Sequence, residues 1–225
     1  MSAAVVLLSG GQDSTTCLYW ALQNYDSVHA VSIAYGQRHA IELTAAESIA
    51  GVVKVPWTLL HLDALSELGD SSLVTNVSRS QGYIDHEAPG GLPTSFVPGR
   101  NILFLTLAAA YACKVGAGTV VGGMCQTDYS GYPDCRAEFI LALEQAIRQG
   151  FPSSAKIHFV APLMWLTKAE SVRLARRLPG CWGALRHTVT CYQGKIPGCG
   201  ECPSCILRAR GFAEAGENDP ALGAL

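Results

Sequence analysis

The chain lacks an excess of charge of either sign: 16 Lys and Arg stand against 18 Asp and Glu in 225 residues. A protein that grips a long nucleic-acid backbone needs clustered Lys and Arg to neutralise its phosphates, so this composition argues against such a partner. Long apolar runs are also missing. The longest, Ile102 to Cys113, is too short to cross a bilayer and suits a buried helix. No basic region precedes the first apolar run, Ala3 to Leu7, and that run is too short for a secretion signal. A cytoplasmic protein with no nucleic-acid or membrane partner is expected. The lysine-bearing GxxxxGK[ST] loop is absent, which excludes one common phosphate cradle.

What is present is a chain of which 49% is hydrophobic, enough for one full core. Ala3 to Leu7 reads as a buried strand ended by paired glycines, and Cys17, Leu18, Trp20, Ala21 and Leu22 have the spacing of a helix packed on a sheet. Asp13 or Ser14 is expected to cap that helix. Strands are predicted over 28–35, 57–62, 119–122 and 157–161. Helices are predicted over 40–53, 102–115 and 138–147, with another opening in 162–170 and running to about Arg177. This alternation argues for an α/β fold with a parallel sheet and helices on both faces. Residues 1–180 form its body, with a polar, turn-rich loop at 63–95 of the kind that serves as a lid or partner surface. Residues 181–225 form a smaller carboxyl-terminal segment.

In such sheets ligands sit beyond the carboxyl ends of the strands. The first of those ends carries LSGGQDSTT: Leu8, Ser9, Gly10, Gly11, Gln12, Asp13, Ser14, Thr15 and Thr16. Its glycines free the backbone, and its amides and hydroxyls converge as they would on a pyrophosphate. The loop after the second strand holds Arg38 and His39, each also readable as a solvated helix start. Arg100 follows a proline and a glycine at a helix start, a place that aims a cation at the same anion. The loop after the fourth strand carries Asp128, Tyr129, Tyr132 and Asp134. A carboxylate accepts from adjacent N–H donors along the edge of a guanine-like ring, and tyrosines flank such a ring. Lys168 stands near a helix start, as a phosphate counter-charge or a solvated lysine.

Nine cysteines are more than packing needs, and their distribution decides their meaning. Cys17, Cys113, Cys125, Cys135 and Cys181 are scattered and read as small core residues. Cys191, Cys199, Cys202 and Cys205 form CxxxxxxxCxxCxxC, a spacing that closes four thiolates around a structural zinc or, alternatively, an iron–sulfur cluster.

SGGQDS at the end of the first strand resembles the SGGxDS loop of the PP-loop ATP pyrophosphatases. Together with YGQRH, FVPGRNILFLTLAA, TDYSGYPDCR, PLMW ahead of Lys168 and Glu170, and CGECPSC, it is similar to the 7-cyano-7-deazaguanine synthases of queuosine biosynthesis, over about Ala4 to Gly211. The resemblance implies an ATP-dependent ligase that converts 7-carboxy-7-deazaguanine and ammonia to the nitrile through an activated carboxylate and an amide. It implies ATP on Leu8 to Thr16, Mg²⁺ carried by the nucleotide, one structural zinc per chain on the four cysteines, and a homodimer. Asp13, Ser14, Lys168 and Arg100 take the catalytic roles, and Arg38, Asp128, Tyr132 and Asp134 the substrate. The chain departs from the pattern at Ala34, where a polar residue is usual, and at Gln126, where an acid is expected. An enzyme that thiolates or amidates a base in transfer RNA carries the same loop and is the alternative; a zinc module that binds nucleic acid or protein leaves SGGQDS unexplained.

Overall fold

The structure, a computed structural model, describes residues 2–37, 41–67, 71, 73, 87–88, 92–93, 95–127 and 131–223. Five parallel strands form the central sheet: β1 (Ala3–Leu7), β2 (Ser27–Ala34), β3 (Trp57–His61), β6 (Thr119–Val121) and β7 (His158–Val160), in the order β3-β2-β1-β6-β7. A separate pair, β4 (Glu87–Ala88) and β5 (Leu92–Pro93), runs antiparallel within the long polar loop, which also holds a short helix, α3 (Ala64–Glu67).

Alternation along β1 fills both faces of the sheet. Ala4, Val6 and Leu8 pack with Cys17, Leu18 and Ala21 of α1 (Gln12–Asn24) and with Ala46, Ile49 and Ala50 of α2 (Ile41–Val53). Val5 turns the other way, onto Leu105, Ala108, Ala109 and Ala112 of α4 (Arg100–Val115) and Ile140 and Ile147 of α5 (Ala137–Gly150). Helices therefore cover both faces, as the sequence implies. Successive connections run outward on opposite sides of β1, which makes the β1–β6 border the point where strand order reverses. In open α/β sheets such a border is where the loops diverge and ligands bind, outside the carboxyl ends of the strands.

One helix start differs from the sequence reading. Asp13 and Ser14 do not cap α1: Gly11 is its N-cap, which has no side chain to make a capping bond, and both residues lie in the first turn. The Ser14 hydroxyl is engaged instead by Ser9 and by the carbonyl of Gly11. The late helix opens at Lys168, within 162–170, and ends at Arg177 as expected, as α6 (Lys168–Arg177). Thr167 caps it, accepting from the Glu170 amide while the Glu170 carboxylate accepts from the Thr167 amide, a reciprocal capping box.

Beyond α6 come α7 (Cys181–Ala184) and α8 (Pro203–Ala215). Val172, Ala175, Leu178, Cys181, Leu185 and Phe212 pack with Tyr19 of α1, so the carboxyl-terminal helices share a core with the body. Buried Arg208 ties this region together. Its guanidinium donates to both Asp219 oxygens at 2.6 and 2.8 Å and to the hydroxyls of Thr188 and Thr190 at 2.9 and 2.7 Å. A fork that meets a carboxylate on both oxygens offsets the desolvation of two charges better than a single contact does. Among the described residues no helix is long and apolar enough to cross a membrane.

Candidate functional site: an anion loop beside a tyrosine-lined wall, with a four-cysteine cluster

The loop after β1 is shaped by close approach. Gly10 has φ 85°, and a Cβ there would lie 2.2 Å from the carbonyl oxygen of Glu42 and 2.8 Å from the amide nitrogen of Ala46, so only glycine fits against α2. The Ser9 amide and hydroxyl meet the Ser14 hydroxyl at 3.1 and 3.0 Å. From the carboxyl-terminal side, the Val189 amide donates to the Gly10 carbonyl at 3.0 Å. From across the strand-order reversal, Gly123 comes so near that a Cβ would touch Asp13 and the Ser14 amide at 3.4 Å. The uncapped start of α1 faces into this ring of contacts, and helix starts attract anions.

Several polar atoms of the loop are buried without a partner among the described residues: both ends of the Gln12 amide, Asp13 Oδ1 and Thr15 Oγ1. Each such atom costs about 1–3 kcal/mol, and a cluster of them fits a place kept for a polar ligand. The other Asp13 oxygen, Oδ2, accepts from Lys168 Nζ at 2.6 Å. Lys168 is 9% exposed, the first residue of α6, and reaches the loop from 155 positions away in the chain.

Beside the loop stands a second group. Arg100, first residue of α4, lies 5.8 Å from the Tyr132 ring and is hydrogen-bonded to the Tyr35 side chain, with Tyr192 also near. The Tyr132 hydroxyl meets Ser95 Oγ at 2.6 Å and its ring packs on Phe96 at 5.6 Å. Asp134 is buried, and its Oδ2 accepts from the Asn101 amide at 3.3 Å. Burial pushes the Asp134 carboxyl above its usual value, against the pull of the Asn101 amide and of Arg100. Glu42 joins the two groups: its carbonyl packs at Gly10, and its carboxyl feels Arg100. Burial pushes that carboxyl up to about 8, outweighing the guanidinium. Arg38 and Asp128 lie outside the described residues.

Sequence reading passed over Glu42, Tyr192 and Val189. A glutamate in a first helical turn reads as a complement to the helix dipole, and a backbone amide carries no letter at all. Gln126 acquires a local reason: its Oε1 accepts from the Ala137 amide at 3.0 Å, at the start of α5.

The four clustered cysteines converge. Their sulfurs all lie within 4.8 Å of one another, with Cys199 and Cys205 Sγ at 3.9 Å. Tetrahedral thiolates at the usual zinc distance sit about 3.8 Å apart, so the set fits such an ion with little adjustment. Cys202 is the N-cap of α8, and the amides of Glu201 and Cys202 donate to Cys199 Sγ at 3.4 and 3.2 Å. Burial works against the Cys199 thiolate, but these donors and the neighbouring thiols outweigh it and bring the thiol down to about 7.

Residues 3–216 match the protein family described as queuosine biosynthesis protein QueC. A 7-cyano-7-deazaguanine synthase of Laribacter hongkongensis is 50% identical over 222 residues, covering 99% of this chain and 95% of the relative. A 7-cyano-7-deazaguanine synthase of Chromobacterium violaceum is 50% identical over 220 residues, covering 96% and 92%. Two solved structures share the fold. A predicted subunit of tRNA methyltransferase from Methanocaldococcus jannaschii has a TM-score of 0.52 at 19% identity, over 78% of this chain and 75% of that one. A 4-thiouridine synthetase, solved in complex with RNA and with bound ATP, has a TM-score of 0.52 at 16% identity, over 94% and 53%. With a family match over nearly its whole length and relatives half identical to it end to end, this chain belongs to the queuosine biosynthesis protein QueC family.

Proposed function

We propose that the loop of Ser9 to Thr16 holds the phosphates of ATP while the wall of Tyr35, Arg100, Tyr132 and Asp134 receives the deazaguanine. The chain is a 7-cyano-7-deazaguanine synthase of queuosine biosynthesis, an ATP-dependent enzyme. One observation carries the assignment of the loop: Lys168 Nζ stands 2.6 Å from Asp13, among buried polar atoms that lack partners, at the border where strand order reverses.

A carboxylate is a poor electrophile because its oxygen leaves badly, and ATP supplies the chemistry that turns that oxygen into a leaving group. Ammonia then displaces it to give the amide, and repeating the activation on the amide oxygen gives the nitrile of 7-cyano-7-deazaguanine. The chain's own part is to hold charge. Lys168 and the amides at the start of α1 lower the energy of negative charge growing on departing phosphate oxygens, and Arg100 adds to this from the wall. The Ser9 and Ser14 hydroxyls and Thr15 donate to those oxygens. The unpartnered Asp13 oxygen is an acceptor suited to the water shell of a nucleotide-borne Mg²⁺. Asp134 and Asp128 accept from the N–H edge of the ring, Tyr132 flanks it, and Arg38 pairs with its carboxylate. Cys191, Cys199, Cys202 and Cys205 hold one zinc, whose four thiolates leave no position for catalysis. In this reading the protein works as a homodimer in the cytoplasm on small molecules alone.

The test is mass spectrometry of 7-carboxy-7-deazaguanine incubated with the protein, ATP, Mg²⁺ and ammonium. Amide appearing first and nitrile after it is the expected result. Unchanged substrate from folded, metal-loaded protein, together with tight and salt-sensitive binding of transfer RNA, would overturn the reading.

A further inference from the structure

Helix α8 crosses α6 at Gly211, and what that residue lacks is occupied by Lys168. A Cβ on Gly211 would stand 2.2 Å from Lys168 Cγ, 2.9 Å from its Cβ and 3.3 Å from its carbonyl carbon. Real atoms do not approach so closely. The atoms met are the stem and backbone of the lysine, not its far end, so the stem itself would have to move. Its path leads straight to the loop, with Nζ 2.6 Å from Asp13 Oδ2.

The helix that supplies this gap is held from two sides. Cys202 caps its start and Cys205 lies in its first turn, so the cysteine cluster anchors one end. Arg208, one turn before Gly211 and on the same face, donates to Thr188 and Thr190. Between those threonines lies Val189, whose amide bonds to the Gly10 carbonyl in the loop. One rigid helix thus meets the anion loop by two routes, through Lys168 to Asp13 and through Arg208 and Val189 to Gly10.

We propose that Gly211 is a positioning residue: the missing side chain on α8 sets the course of the Lys168 stem and so the place of its ammonium at Asp13. The proposal rests on the reading of Lys168 as the phosphate counter-charge. It gives the carboxyl-terminal helix, and the metal cluster at its root, a share in the geometry of the reaction.

The test is a double-mutant cycle of Gly211→Ala and Lys168→Ala, read in melting temperature, metal content and steady-state kinetics. A glycine-to-alanine change inside a helix ordinarily raises stability. Here Gly211→Ala is expected to lower the melting temperature while Lys168 is present and to lower it less once Lys168 is alanine, because that change removes the Cγ met at 2.2 Å and leaves only the Cβ at 2.9 Å and the backbone. Metal content stays the same throughout. In kinetics, Gly211→Ala lowers kcat about 100-fold, the scale of a misplacement near 1 Å. KM for 7-carboxy-7-deazaguanine stays close to that of the unsubstituted protein, and the double variant loses no more than Lys168→Ala alone. If Gly211→Ala does not fold but the double variant does, the contact is upheld. Equal effects of Gly211→Ala in both backgrounds, or none in either, overturn the proposal. Full activity of Lys168→Ala overturns the underlying reading of Lys168, with the stability cycle still reporting on the contact.

Discussion

The anion loop and the cysteine cluster both gather polar atoms at one point, yet they are built in opposite senses. In the loop, buried atoms of Gln12, Asp13 and Thr15 are left without partners among the described residues. In the cluster, four sulfurs face one another and backbone amides converge on them. The first arrangement suits a ligand that arrives and leaves each turnover, since unmet hydrogen bonds favour binding without committing the fold to it. The second suits an ion that stays, because four thiolates surround one point and the amides that donate to them favour their charged form. One site depends on groups left unsatisfied, the other on groups fully satisfied by a single guest.

Breaking the cluster should have the largest effect. Cys202→Ser removes one ligand at the N-cap of α8, where serine is itself a good cap, and the expected outcome is loss of bound metal, a lower melting temperature and early proteolysis within 191–205. Structural zinc supplies roughly 10–16 kcal/mol of apparent binding energy to small zinc-finger peptides, so loss of such an ion would not be absorbed locally. Metal analysis after desalting checks this, and unchanged metal content would sink the comparison. The loop should respond on a smaller scale: ATP at about 100 times its Kd stabilises the fold by about 2.7 kcal/mol, read as a rise in melting temperature, while extra zinc on loaded protein adds nothing. An ATP-independent melting temperature would mean that the unpartnered atoms are not kept for the nucleotide.

The smallest effect concerns Glu42, between loop and wall. Its carboxyl is raised to about 8, so as pH climbs from the ordinary glutamate range to about 8 the unfolded chain ionises while the folded one keeps its proton. The contribution of this group to stability is fully present at the low end of that window and lost by its top. Glu42→Gln cannot ionise and should show a flatter decline in melting temperature than the unsubstituted protein over the same window. Parallel curves for the two would mean that the Glu42 carboxyl is not desolvated in the folded chain.

What could be read from the chain divides along physical lines. The parallel sheet was legible because buried strands and their covering helices impose apolar spacings, and the cysteine cluster because metal geometry imposes CxxC. The start of α6 was also written, as Thr167 and Glu170 three residues apart, inside the stretch 162–170 where a helix is expected to open. The cap on α1 was misjudged because Ser14 is a good capping residue and only three-dimensional neighbours reveal that Ser9 and Gly11 claim its hydroxyl. Lys168 and Asp13 could each be named from sequence, but nothing local says that they touch. Gly211 is the extreme case: a glycine inside a helix reads as a weak spot, and its meaning lies wholly in the side chain of another helix.

The separation of 155 residues between Lys168 and Asp13 also orders events during synthesis. At roughly 5–20 residues per second, the loop and its helix leave the ribosome on the order of ten to thirty seconds before the lysine that completes them. In the proposed reading, the amino-terminal half therefore exists first with an anion loop whose Asp13 carboxylate has yet to meet the Lys168 ammonium. On that reading, full competence to bind nucleotide arrives late, with the elements that close the chain.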